Sequence, residues 1–174
     1  INDLRVFYIQ NKKTIPVYAD NPTKKYLLNT FKYCFQSIDK EYPVTLKFNP
    51  ITNKLTLKDG KNKLHVKPIK VKHGKVDSIR YIFDNKLAYI SDISDISKKD
   101  YKHFKNLKYL IIDCLWLRHH SSHLNLENSL KFIEMFKPKK AILTNLHSDL
   151  DYDFLKKILP KNIEPAFDGL TINL

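Results

Sequence analysis

From Leu64 to Gly74 the chain reads Leu-His-Val-Lys-Pro-Ile-Lys-Val-Lys-His-Gly. Apolar and polar residues alternate through Val71, the two-residue period of a strand with one buried face. The strand runs out into Lys72-His73-Gly74, so a polar side chain stands where the chain turns. The same period continues on both sides. Upstream lie Val44 to Phe48 and Lys54 to Leu57; downstream lie Ser78 to Phe83 and Leu87 to Ile90. Asp59-Gly60 and Asp84-Asn85 have the residues that tight hairpins require. Together these stretches predict a meander of about five strands.

Beyond Ile90 the pattern changes. Lys98 to Leu107 reads as a helix, Tyr109 to Leu115 as a buried strand, and Leu126 to Phe136 as a helix. Lys140 to Leu143 reads as a strand, Asp151 to Leu159 as a helix, and Glu164 to Leu174 as a closing strand. Near the start, Ile15 to Ala19 is a short apolar strand. Asn21-Pro22-Thr23 opens a helix, and apolar residues at 27, 28, 31, 34 and 35 carry it to Phe35. Composition is even and no linker stands out, so residues 1–174 read as one α+β domain of two sheets with helices outside.

The chain has 174 residues, with 31 Lys plus Arg against 18 Asp plus Glu, hence a net charge of +13. Hydrophobic residues make up 43%, which excludes a disordered tail. No apolar run reaches the roughly 18–20 residues of a membrane helix. Cys34 and Cys114 form neither a disulfide framework nor a zinc knuckle, which fits a reducing cytoplasm. The charge admits two readings: surface drift toward Lys, Asn and Ile in an AT-rich genome, or a phosphate-binding surface. Only three of the basic residues are Arg (Arg5, Arg80, Arg118), which favours drift over a nucleic-acid reader.

Four groups of residues at strand ends could carry chemistry. They are Lys72-His73-Gly74, Ile90-Ser91-Asp92, Arg118-His119-His120-Ser121-Ser122-His123 and Leu143-Thr144-Asn145-Leu146-His147. Imidazoles and a carboxylate from separate strand ends, if they meet on one rim, suit zinc, manganese or iron. Each residue alone has a plainer reading, as a cap, a turn or a solvated loop. Cys114, inside an apolar run, reads as a core thiol. Asp149, Asp151 and Asp153 read as helix caps.

With these motifs in this order the chain resembles the metallo-β-lactamase-fold hydrolases. Within them it is most similar to the branch of the phosphoribosyl 1,2-cyclic phosphate phosphodiesterases. The resemblance also takes in Asp3-Leu4-Arg5, Ile15 to Ala19, Ala88 to Asp92 and Ala166-Phe167-Asp168-Gly169-Leu170. It implies an αββα sandwich and two divalent ions, zinc or manganese, acting on a small phosphodiester. It implies His73 as a metal ligand and Asp92 as the carboxylate that bridges both ions. It implies His123 as the acid or leaving-group contact, with His120 against the substrate. The family's last ligand falls on Asn145, and His147, two residues on, is the imidazole expected to replace it.

The family's His-x-His-x-Asp-His signature occurs nowhere in the sequence. The chain is therefore expected to be the C-terminal two-thirds of the fold, incomplete at its N-terminus. It is expected to be inactive without an upstream polypeptide segment and able to self-associate through apolar surface. The alternatives are a basic nucleic-acid-binding remnant without catalysis, and an RNA-processing relative of the same fold.

Overall fold

The β3–β4 hairpin begins where the alternation predicts it, and a seven-stranded sheet grows from it. In the structure, a computed structural model describing residues 1–37 and 42–174, the strands of this sheet follow chain order. They are β3 (Leu55–Asp59), β4 (Asn62–His73), β5 (Val76–Phe83), β6 (Leu87–Ile90), β7 (Tyr109–Asp113), β8 (Lys140–Thr144) and β9 (Ile163–Pro165). The first four are antiparallel neighbours. The last joins are parallel, each made through a crossover. The turns carry the expected chemistry: Gly60, Asp84 and Asn85 all have positive φ.

Strand direction decides where the chemistry gathers. β4 and β6 both run antiparallel to β5, and β7 and β8 run parallel to β6. The C-terminal ends of β4, β6, β7 and β8 therefore share one edge of the sheet. One face of that sheet is the core. Ile69, Val71, Ile82, Ala88, Ile90, Leu110 and Ile112 are buried there with Phe104 and Phe136. Phe136 closes α4 (Leu126–Phe136), whose N-terminal Asn125 accepts from the Asn128 amide at 3.0 Å.

Contacts divide the chain into two compact units, Ile1–Thr52 and Asn53–Leu174. In the first, α1 (Leu4–Asn11) precedes a β-α-β unit. It consists of β1 (Ile15–Ala19), α2 (Asn21–Thr30), α3 (Lys32–Phe35) and β2 (Leu46–Pro50). β1 and β2 pair in parallel, and Cys34 and Leu46 are buried.

Several expectations need correction. The segment around Leu46 is not a meander strand. Its helical connection is long enough to return it parallel to β1, so the meander has four strands. The helix expected from Lys24 to Phe35 starts at Asn21 and breaks at Phe31. Lys98 to Leu107 forms only a 3-10 turn, Lys98–His103. Phe104 and Leu107 drop into the core, and Asn106, at positive φ, ends the coil. The closing strand covers only Ile163–Pro165, and a turn at Gly169 leaves the residues after it outside the sheet. The remaining helices, including α5 (Tyr152–Ile158), stand close to their expected places. Among the described residues no helix is long and apolar enough to cross a membrane.

Candidate metal centre

His73 is the last residue of β4, and the chain turns immediately at Gly74. That glycine is required twice over. Its φ is +60°, and a Cβ there would lie 3.1 Å from the Ser122 Cβ. The segment after β6 is laced to the end of β4. Lys72 N–H donates to Asp95 O at 3.0 Å, and Ser94 N–H donates to Lys72 O at 2.8 Å. This pairing brings Asp92 beside His73.

Asp92 has a left-handed backbone, φ 47°. A non-glycine residue there costs about 1–3 kcal/mol and needs surroundings that enforce it. Arg80 supplies them. Its Nε donates to Ser91 O, its Nη1 to Ile79 O at 2.7 Å and its Nη2 to Asp92 O at 2.8 Å. Nη2 also stands 3.7 Å from the Asp92 carboxylate. Burial pulls the Arg80 pKa below its ordinary value, against the pull of Asp92 in the other direction. The Asp92 carboxylate accepts from the Ser91 hydroxyl at 3.0 Å and from the Asn145 amide at 3.0 Å. Asn145, also left-handed at φ 63°, thus reaches the centre from the end of β8.

His123 completes the group. Its Nε2 lies 3.3 Å from the His73 Nε2, and one donor atom from each of His73, Asp92 and His123 lies within 4.8 Å of the others. Behind His123 stands Asp113, the last residue of β7 and fully buried. Its carboxylate is 3.1 Å from His123 Nδ1 and accepts from the Leu124 amide at 2.9 Å. Burial pushes the Asp113 carboxyl above its usual range, while the Leu124 amide and the His123 ring pull it down. The carboxylate accepts, so His123 carries its proton on Nδ1 and leaves the Nε2 lone pair free.

A divalent ion fits this donor set. Two imidazole nitrogens each ~2.0 Å from one tetrahedral ion would lie about 3.3 Å apart. The observed separation of the two Nε2 atoms matches. Carboxylate and imidazole suit zinc or manganese alike. Beside Asn145 opens a recess of about 380 Å³, lined by Thr144, Asn145, Leu146, Ala166, Phe167 and Asp168.

His73, Asp92 and His123 are thus brought together, and His120 and His147 stand outside the group. Both flank Trp116, with ring centroids 5.2 Å and 5.0 Å from the indole. His120 remains a neighbour of His123 at 5.2 Å between centroids. His147 Nδ1 accepts from the Asp149 amide at 3.3 Å. Sequence reading missed Asp113 and Arg80. The signal for Asp113 was a lone acid at the end of an otherwise apolar strand. For Arg80, inside a strand, there was none.

Residues 1–145 match the family described as the beta-lactamase superfamily domain. Among solved structures, a diphosphatase of the PhnP family is similar at 26% identity and a TM-score of 0.78, over 91% of this chain and 57% of that one. The metallo-beta-lactamase fold protein YhfI from Bacillus subtilis is similar at 16% identity and TM-score 0.71, over 98% and 70%. Yeast PDE1 is similar at 20% identity and TM-score 0.59, over 91% and 60%. No curated protein matches the chain.

Proposed function

We propose, from the premise that the chain belongs to the beta-lactamase superfamily, that its centre serves divalent-metal-dependent hydrolysis of a small phosphoester. The carrying observation is the convergence of His73, Asp92 and His123 at one sheet edge, with a buried carboxylate behind His123. His73, Asp92 and His123 would hold the ion, zinc or manganese. When bound, the ion supplies charge neutralisation at the phosphoryl oxygens and a water acidic enough to attack at neutral pH.

The chain's own residues do the rest. Asp113 fixes the His123 ring with its Nδ1–H on the carboxylate, so the unprotonated Nε2 faces the ion. Arg80, Ser91 and Asn145 hold the Asp92 carboxylate in one orientation. His120 contacts the substrate from beside Trp116. His147 stands on the rim outside the donor set, its Nδ1 taken by the Asp149 amide.

The donors on this chain meet around one point, which suits one ion with an open position. The finer reading is a two-ion centre that needs further donors of the His-x-His-x-Asp-His kind, which this sequence lacks. The test is a manganese and zinc titration of the chain, read by calorimetry, alongside hydrolysis of bis(p-nitrophenyl) phosphate. We expect one equivalent bound, abolished by His73→Ala, and no hydrolysis by the chain alone. Absence of binding overturns the metal reading. Hydrolysis by the chain alone overturns the need for added donors.

A further inference from the structure

We propose that the recess beside Asn145 takes an organic ammonium group, so that the ester served by the metal centre is the phosphate of an amino alcohol. This substrate assignment rests on the metal-centre reading above. The recess stands at the sheet edge where the donors gather. β9 runs parallel to β8, so the turn after β9 comes out beside the ends of β4, β6, β7 and β8. Asn145 joins the two places. Its amide donates to the Asp92 carboxylate at 3.0 Å, and the same residue lines the recess of about 380 Å³. A phosphoester held at the donor group therefore reaches the recess across one side chain.

Two features of the recess select a cation. The first is Phe167, which is 52% exposed. Tyr152 meets its ring at 90°, with centroids 6.1 Å apart. An edge-to-face pair covers at most one face of each ring, so a face of Phe167 stays open. The turn that carries it is tied down. Ala166 N–H donates to Leu143 O at 2.8 Å, and Leu170 N–H donates to Phe167 O at 3.1 Å. Gly169, at φ +92°, lets that turn close. The second feature is the carboxylate of Asp168, in the same recess. No basic side chain lines the recess. Among the described residues no Lys, Arg or His stands within ion-pair distance of Asp168, in a chain of net charge +13.

An open aromatic face attracts a cation through its quadrupole, and a carboxylate adds a full charge of the same preference. Both repel a second phosphoryl group. The neighbouring sites thus prefer opposite charges: the metal centre suits the anionic end of a molecule, and Phe167 with Asp168 suits the cationic end. A zwitterion of phosphate and ammonium satisfies both, whereas a sugar phosphate satisfies only the first.

Choline chloride, titrated into the metal-free chain at constant ionic strength, tests the proposal by NMR. We expect saturable shifts of the Phe167 and Tyr152 ring signals and the Asp168 amide. The uncharged carbon isostere, 3,3-dimethylbutan-1-ol, should bind about five- to tenfold more weakly. Phe167→Ala and Asp168→Asn, both at exposed positions, should each weaken choline about fivefold with the thermal midpoint unchanged. Equal binding of the isostere overturns the ammonium assignment. So does choline binding by both variants as by the parent. Adenosine moving the same signals at lower concentration than choline overturns it in favour of a flat ring. Phosphocholine separates this inference from the metal reading. With manganese present it should bind at least about tenfold more tightly than choline. Choline binding without that gain overturns the metal reading and leaves the ammonium site standing. The gain without choline shifts at Phe167 does the reverse.

Discussion

Three histidines share one rim and differ in what holds them. His123 rests its Nδ1 on the buried Asp113 carboxylate. His120 and His147 rest theirs on main-chain amides, those of Ser122 and Asp149, each at 3.3 Å. A carboxylate accepts and an amide N–H donates, so the two supports select opposite tautomers. In His123 the Nε2 lone pair is free for a cation or a proton. In neutral His120 and His147 the outer Nε2 carries the hydrogen and can only donate. The Asp149 carboxylate, 3.6 Å from His147 Nδ1, is beyond hydrogen-bond reach and does not change this. The atom behind an imidazole, more than the imidazole itself, thus decides whether it can ligate.

Removing the support should do most damage. Asp113→Asn keeps the shape but offers an amide in place of one carboxylate oxygen. We expect manganese affinity to fall about 10- to 100-fold, as for lost second partners of metal-bound histidines, with the thermal midpoint little changed. A competition titration with a chelating dye reads this, and an unchanged affinity would make Asp113 purely structural. Arg80→Met removes three donors from the carbonyls that shape the turn before Asp92. Urea unfolding should show a loss of about 1–3 kcal/mol. Arg80→Lys should recover only part of it, because an ammonium cannot span those carbonyls. The smallest effect belongs to His147→Ala, with metal affinity changed less than about threefold. A loss beyond about tenfold would restore His147 as a ligand and break the contrast with His123.

Much of the centre was legible because strand ends expose chemistry. His73 and Asp92 stand at the ends of apolar strands, His123 lies in the polar loop after one, and the family order of motifs joined them. The supports were not legible. Asp113 sits in Leu110-Ile111-Ile112-Asp113-Cys114, where hydrophobicity announces a strand and conceals its one acid. Arg80 lies mid-strand, and only the folded turn at Asp92 gives it carbonyls to bind. In the fold, period two identified strands without naming partners, so the segment at Leu46 was assigned to the wrong sheet. Glu164 to Leu174 failed differently: its apolar residues continue past the last register partners, Leu143 and Pro165.

The change of connection at β6 has a kinetic consequence. β3 to β6 pair through short hairpins, whereas β7 and β8 join only after long crossovers close. Loop closure makes hairpins fast and crossovers slow. His73 belongs to the early half, and Asp113 and His123 belong to the late half. The contact between the two Nε2 atoms therefore ties the hairpin-built half of the sheet to the crossover-built half. A divalent ion bound there would cross-link residues 50 apart in the chain and, by binding only the folded state, would stabilise it.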